Sequence, residues 1–131
     1  MLTLLRFTRT DEASPDLEDL IDLIREGSPN VRISNSRRGS SVSIDICSDD
    51  VWEHHVQEMM VALTTFAKAI SACASPPFAV CFDSAVDQLV PFDGPLWADV
   101  EFPPDLLLAA GAAGVSLVVT VYPAELSLIH I

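Results

Sequence analysis

The longest stretch of periodic apolar positions lies in residues 50–72 and predicts an α-helix. Its apolar side chains recur every three or four residues, the spacing that places them on one face of a helix. They are Trp52, Val56, Met59, Met60, Leu63, Phe66, Ala67 and Ile70. Ser48 or Asp50 is suited to cap the first turn. A stripe of this kind needs a flat apolar surface opposite it, so the pattern predicts a sheet behind the helix.

The N-terminal residues predict a strand followed by a second helix. Residues 1–8 are rich in Leu, Phe and Thr, which favour strands. Ser14 and Pro15 are typical of an N-cap and a first helical position. Gly27 is expected to end this helix in the left-handed conformation.

The next segments complete a recognisable order of elements. Residues 31–36 and 41–47 predict a hairpin around a turn at 37–40, and residues 78–82 predict a short apolar strand. The order is then β-α-β-β-α-β, the split βαβ unit of a ferredoxin-like sandwich. The predicted fold is therefore α+β, with a mostly antiparallel sheet and helices on one face. At this length residues 1–131 are expected to form a single domain.

The C-terminal part predicts a β-α-β extension of this sandwich. Residues 84–96 contain two prolines, a glycine and two aspartates, which favour a surface loop. Residues 97–102 predict a strand and residues 103–110 a short helix closed by Gly111 or Gly114. Residues 115–122 predict the final strand, because Val and Leu dominate them.

Charge divides the chain into two unlike halves. The whole chain has a net charge of −12. All seven Lys and Arg residues lie in residues 1–68, whereas residues 69–131 contain Asp and Glu but no Lys or Arg. A negative field repels nucleic acid and anionic lipid and attracts cationic surfaces. The alternative is that the negative charge serves only to keep the protein soluble. The second half, however, has no cation of its own to pair with its carboxylates, which favours a cationic protein partner.

Cysteine usage and hydropathy predict the compartment. The three cysteines include no CxxC pair, and an odd number favours free thiols in a reducing cytoplasm. The first residues lack the apolar core of a signal peptide. No apolar run is long enough to cross a membrane. The sequence therefore predicts a cytoplasmic protein with no membrane association.

No catalytic, metal-binding or cofactor motif stands out. His54 and His55 are adjacent, and neighbouring side chains on a helix diverge too far to share one metal ion easily. Cys47 and Cys81 have no cation nearby in sequence to activate a thiol. Nucleophile-elbow and phosphate-binding patterns do not occur. We expect no enzyme activity, no metal and no cofactor; an enzyme would need His54, His55 or Cys47 clustered with carboxylates in a cleft.

The candidate partner-binding residues are acidic and aromatic side chains of the second half. They are Asp83, Asp87, Asp93, Trp97, Asp99 and Glu101. Carboxylates around Trp97 would match the charged rim and apolar centre of a protein interface. The alternative is that Trp97 belongs to the core. A calcium loop is disfavoured, because the alternating Asp and Asn pattern of an EF-hand is missing.

A family resemblance adds an expectation about function. The closing segment WADVEFPPDLLLAAGAAGVSLVVTVYP resembles that of small bacterial immunity proteins of contact-dependent toxin systems. A Pro-initiated short helix, a Gly and a final strand ending in Tyr are matched by Pro103, Pro104, Leu106, Gly114 and Tyr122. The long helix SDDVWEHHVQEMMVAL is similar too, so the resemblance covers the last two thirds of the chain. It implies a cytoplasmic antitoxin that binds a partner and has no catalytic residues.

The charge and the resemblance give one leading hypothesis and leave one alternative. The first is an immunity protein that neutralises a basic toxin, with a nuclease favoured because nucleases are basic to bind phosphates. It would cover the active site of the toxin and would not bind nucleic acid directly. The alternative is a small-molecule sensor, because ferredoxin-like domains often bind amino acids at dimer interfaces. A homodimer that buries Val61 would favour the sensor.

Overall fold

The structure, a computed structural model, describes residues 1–9, 16–35, 41–88 and 100–123, with the backbone alone for residues 87, 88, 122 and 123. Its elements in chain order are β1 (Leu2–Arg9), α1 (Leu17–Gly27), β2 (Ile33–Asn35), β3 (Ser41–Cys47), α2 (Trp52–Thr65), α3 (Ala67–Ala72), β4 (Phe78–Gln88), α4 (Pro104–Ala113) and β5 (Val115–Pro123). The strands form one sheet in the order β2-β3-β1-β4-β5.

The sheet is antiparallel except at one edge. β1 pairs antiparallel with β3 on one side and with β4 on the other. The predicted hairpin is confirmed by antiparallel pairing of β2 with β3, although its turn at 37–40 lies outside the described residues. β5 follows α4 and pairs parallel with β4. The predicted α+β class with a mostly antiparallel sheet is confirmed, and it is consistent with a ferredoxin-like sandwich.

One face of the sheet carries the core. Leu5 and Phe7 of β1 and Phe82 of β4 are at most 1% exposed, whereas Arg6 between the first two is half-exposed. Alternation of side chains along a strand produces this difference. The helices contribute to the same core the fully buried side chains of Leu20, Ile24, Met59 and Leu106. Burial of each such side chain contributes roughly 1.5–3 kcal/mol. The sheet predicted behind the long helix is therefore present.

The start of α1 is capped by a different residue from the predicted one. Asp16 is the N-cap, and its carboxylate accepts a 2.9 Å hydrogen bond from the backbone N–H of Asp19. A short acidic side chain in this place satisfies a free N–H of the first turn and complements the helix dipole. The predicted cap, Ser14, lies outside the described residues.

Gly27 is needed for space and not for its backbone conformation. It is the last residue of α1, and the left-handed conformation predicted for it is wrong. Among the described residues only Gly114 has a positive φ, at 76°. A Cβ on Gly27 would overlap the backbone carbonyl of Thr65. The glycine therefore lets the end of α1 approach the end of α2 closely.

The single helix predicted over residues 50–72 is wrong, because two helices meet at Phe66. The φ of −107° and ψ of 24° at Phe66 depart from helical values. Thr64, Thr65 and Phe66 are weak helix formers, and the Thr65 carbonyl is packed against Gly27. The backbone hydrogen bond from Ile70 to Phe66 nevertheless carries the chain into α3. None of the described helices is long and apolar enough to cross a membrane.

β4 is longer than predicted. It continues to Gln88, so residues 84–88, which were predicted to be a loop, form a strand. The second half of β4 pairs with β5, for example Ser84 opposite Val119. The polar residues of 84–88 favour a loop when only their neighbours in sequence are considered. These residues form a strand because they pair with β5, which begins only at Val115. Residues 89–96 of the predicted loop lie outside the described residues.

Residues 100–103, the described part of the segment before α4, do not form a strand. Residues 97–99 of the predicted strand lie outside the described residues, and residues 100–103 have no regular structure. Their backbone is held by a side chain of α2, as described below, and not by a neighbouring strand. The rest of this region agrees with the prediction, since Pro104 begins α4, Gly114 ends it in the left-handed conformation, and β5 follows.

Candidate functional site

Only two of the predicted acidic residues have described side chains, and these two, Asp83 and Glu101, do not lie together. Asp83 and Glu101 have described side chains, and Asp87 lies in β4 with its backbone described. Asp93, Trp97 and Asp99 lie outside the described residues. Their partner-binding role stays a prediction.

Asp83 already has a cation. Its Oδ2 accepts a 2.9 Å hydrogen bond from Nη1 of Arg6, and its Oδ1 accepts one of 2.9 Å from the Thr120 hydroxyl. The Asp83 side chain is only 12% exposed. No cation is near Asp83 in sequence, but the pairing of β1 with β4 brings Arg6 beside it. Asp83 therefore ties three strands together and presents little free charge to a partner.

Glu101 lies on the other side of the sheet from Asp83. Asp83 points away from the helices, because its neighbours Phe82 and Ser84 are buried beneath them. Glu101 stands in the helix layer, where its backbone carbonyl accepts a 2.8 Å hydrogen bond from Nε1 of Trp52. These two residues cannot contribute to one continuous acidic rim.

A groove of about 440 Å³ opens between the start of α2 and the segment before α4. Its lining residues are Trp52, Glu53, Val56, Gln57, Glu101, Pro103 and Pro104. The indole of Trp52 is held in place by edge-on packing against Phe102, with ring centroids 5.5 Å apart. The groove is thus lined mainly by apolar side chains, and two exposed acidic residues, Glu53 and Glu101, are part of its lining. This combination suits an Arg or Lys side chain, whose apolar stem and charged end need both.

The helix layer carries further carboxylates without ion pairs. The side chains of α1 and α2 that are exposed and form no ion pair with any described residue are Glu18, Asp19, Asp22, Glu53 and Glu58. Lys68 offsets one neighbour, Glu26, at 3.7 Å. Uncompensated charges of one sign sum to a field that attracts cationic groups over a Debye length.

His55 is the centre of a buried hydrogen-bonded chain. It is 0% exposed, and its Nε2 lies 2.6 Å from the backbone carbonyl of Asp49. Because a carbonyl only accepts, Nε2 carries the proton. In this tautomer Nδ1 accepts from the Thr3 hydroxyl at 2.7 Å, and Thr3 accepts from the Ser84 hydroxyl at 2.8 Å. These hydrogen bonds join the loop before α2 to α2, β1 and β4. The two hydroxyls and the imidazole therefore have hydrogen-bond partners within the protein.

His55 is not among the residues of the predicted apolar stripe, yet the structure buries it at the centre of the inner face of α2. The buried residues of α2 are His55, Met59 and Ala62. Met59 belongs to the predicted stripe, whose members Val56, Met60 and Leu63 are half-buried against the core. The indole of Trp52 stacks on the imidazole at 5.9 Å. The signal was present in the spacing, since His55 follows Trp52 by three residues and precedes Met59 by four.

Asp49 organises the start of α2 in place of the predicted caps Ser48 and Asp50. Val51 is at the N-cap position and has no capping side chain. The Asp49 carboxylate accepts hydrogen bonds from the Val51 backbone N–H at 2.8 Å and from Nδ1 of His54 at 2.7 Å. The hydrogen bond from the Val51 backbone N–H, and to a smaller extent the one from His54, lowers the pKa of Asp49 below its usual value. Asp49 is therefore ionised at neutral pH.

Two of the three free thiols are poor nucleophiles. Burial raises the pKa of Cys73 to about 11, so the thiol is protonated at neutral pH. Burial also raises the pKa of Cys81, and Asp83 adds to this while Arg6 opposes it. Neither environment activates a thiolate.

Comparison of the chain with models of known protein families, with curated proteins and with solved structures finds no match.

Proposed function

We propose that this protein is a cytoplasmic immunity protein that binds a cationic toxin domain, with a nuclease favoured, and covers its active site. The observation that carries the proposal is the groove beside Trp52, where Glu53 and Glu101 flank an apolar floor without ion pairs to described residues. A basic side chain of the toxin fits there with its stem on the floor and its charge between the carboxylates.

The remaining charge favours the same class of partner. The chain carries a net charge of −12, and exposed carboxylates of α1 and α2 extend the negative surface. A nuclease active site is cationic because it binds phosphates, so an acidic surface is complementary to it and speeds their encounter. The same field opposes direct binding of nucleic acid to this chain.

Within the proposed interface the residues have different roles. Trp52 is the aromatic anchor, and Glu53 and Glu101 supply the charge. Asp87, Asp93, Trp97 and Asp99 remain proposed partner-binding residues. Asp83 is paired with Arg6 and is expected to contribute little.

The test is co-purification with a basic protein encoded beside this chain, together with protection of cells that express that protein. Glu53→Lys with Glu101→Lys should abolish both, and raised salt should weaken the complex of the wild type. Glu18→Lys with Asp22→Lys on α1 changes the net charge equally and is the matched control. It should reduce binding less, because α1 packs beside α3 whereas the groove lies between α2 and α4. A complex that forms equally with all variants, or no complex at low salt, contradicts the proposal.

A further inference from the structure

We propose that Cys47, Asp49 and His55 form a binding site for Zn²⁺. Cys47 ends β3, Asp49 precedes α2, and His55 lies near the start of α2. One sulfur, one carboxylate oxygen and one ring nitrogen from these residues all lie within 4.8 Å of one another. Thiolate, carboxylate and imidazole are the three ligand types that zinc takes in proteins. The proposal is independent of the proposed function and uses none of the groove residues.

The spacing of the donors is close to what a zinc ion needs. With Zn–S near 2.3 Å and Zn–N or Zn–O near 2.0–2.1 Å, neighbouring ligands of a tetrahedral site lie about 3.3–3.6 Å apart. Oδ1 of Asp49 already lies 3.8 Å from Nε2 of His55. Closing the three donors around an ion therefore requires movements of about 1 Å. Asp49 is exposed, so its side chain can make such a movement and the ion can enter from its side.

The groups behind His55 are those of a metal-bound histidine. Metal ligation at Nε2 requires the proton on Nδ1, where the Thr3 hydroxyl at 2.7 Å can accept it. Thr3 then donates to Ser84 at 2.8 Å, because a hydroxyl can act in either direction. Nε2 gives up its bond to the Asp49 carbonyl.

The charges balance on binding. The Cys47 thiol releases one proton to solvent, and the resulting thiolate and the Asp49 carboxylate together offset the two charges of the ion. His54, whose Nδ1 lies 2.7 Å from Oδ2 of Asp49, is placed to orient the carboxylate. The positive end of the α2 dipole opposes a cation here, but its partial charge is smaller than the two full charges of the ligands. Three protein ligands leave a fourth position for water.

The test uses the full chain after treatment with a chelator. Titration with Zn²⁺ against a chromophoric chelator should give one ion per chain, and calorimetry in buffers of different ionisation enthalpy should give release of one proton. Co²⁺ should produce a thiolate-to-metal charge-transfer band. Cys47→Ser should remove this band, and Cys47→Ser and Asp49→Asn should each weaken Zn²⁺ binding at least about tenfold.

Cys81→Ser is the matched control, because Cys81 is also half-buried but outside the site, and it should keep the band and the affinity. The side chain of Asp49 is exposed, so Asp49→Asn is expected to fold. Circular dichroism verifies the folding of the variant before its Zn²⁺ binding is compared with that of the wild type. Failure of the wild-type chain to bind Zn²⁺ overturns the proposal. Binding that both Cys47→Ser and Asp49→Asn leave unchanged also overturns it, because surface carboxylates would then hold the ion.

Discussion

Nε1 of Trp52 donates a 2.8 Å hydrogen bond to the backbone carbonyl of Glu101, which lies 49 residues further along the chain. This bond fixes the segment before α4 against the first turn of α2. Phe102 reinforces it by packing edge-on against the indole. As a result Glu53 and Glu101 line one groove.

Two glycines predict opposite effects of the same substitution. In Gly27→Ala the new Cβ meets the Thr65 carbonyl, so overpacking should outweigh the gain in helix propensity and lower the free energy of unfolding by about 1–3 kcal/mol. In Gly111→Ala the Cβ has no neighbour within 4 Å, and the free energy of unfolding should rise by about 0.5–1 kcal/mol. Urea denaturation measures both. Stabilisation of similar size in the two variants would contradict the packing of α1 against Thr65.

The buried chain through His55 predicts a cost for removing one hydroxyl. Thr3→Val keeps the shape of the side chain but removes the hydrogen bonds that Thr3 makes to Nδ1 of His55 and to the Ser84 hydroxyl, so the free energy of unfolding should fall by about 1–3 kcal/mol. Thr8→Val in the same strand is the control, because Thr8 is half-exposed; it should change stability by less than about 0.5 kcal/mol. Equal effects of the two substitutions in denaturant unfolding would rule out the hydrogen-bonded chain.

The pairing of Asp83 with Arg6 predicts a structural role for Asp83. Asp83→Asn weakens a 2.9 Å ion pair whose carboxylate is only 12% exposed, and should lower the free energy of unfolding by about 1–2 kcal/mol. Asp45→Asn is the matched control, because its pair with Arg32 is 3.7 Å long and the arginine is 84% exposed. That change should cost less than about 0.5 kcal/mol. If thermal denaturation ranks the two variants in the reverse order, the assignment of Asp83 is wrong.

Cys73 predicts a loss of stability in alkaline solution. Its pKa rises from 9.0 in the unfolded chain to about 11 in the folded protein, in which the thiol is 1% exposed. The unfolded chain therefore releases this proton first, so the contribution is complete below pH 9 and is lost as the pH rises towards 11. The loss should reach about 2–3 kcal/mol. Cys73→Ala should lower stability at all pH values but flatten this slope; an unchanged slope in pH-dependent urea unfolding would contradict the account.

Local patterns were sufficient to predict most of the fold. The alternation in β3, the capping signals of α4 and the apolar content of β5 depend on neighbours in sequence, and those elements formed where expected. The extension of β4 to Gln88 was not predictable in this way, because its partner β5 begins 27 residues later. The close packing of Thr65, next to the break at Phe66, against Gly27 also joins residues far apart in the chain.

The candidate sites were less accessible to prediction for the same reason. Asp83 seemed unpaired because Arg6 lies 77 residues away in the chain. The burial of His55 was not predicted, because its hydrogen-bond partner Thr3 lies on another element. Glu101 was predicted from its charge alone. The groove that it lines was not predictable, because most of the other lining residues come from α2.

The rate at which a purified basic toxin domain dissociates from this protein tests the central claim most directly. Glu53→Gln with Glu101→Gln removes two charges at the groove, and Glu18→Gln with Asp22→Gln removes two on α1. We predict that the groove variant dissociates at least about tenfold faster, whereas the α1 variant associates more slowly and dissociates within about twofold of the wild-type rate. Dissociation rates that are unchanged in the groove variant, or raised equally in both, would contradict binding at the groove beside Trp52.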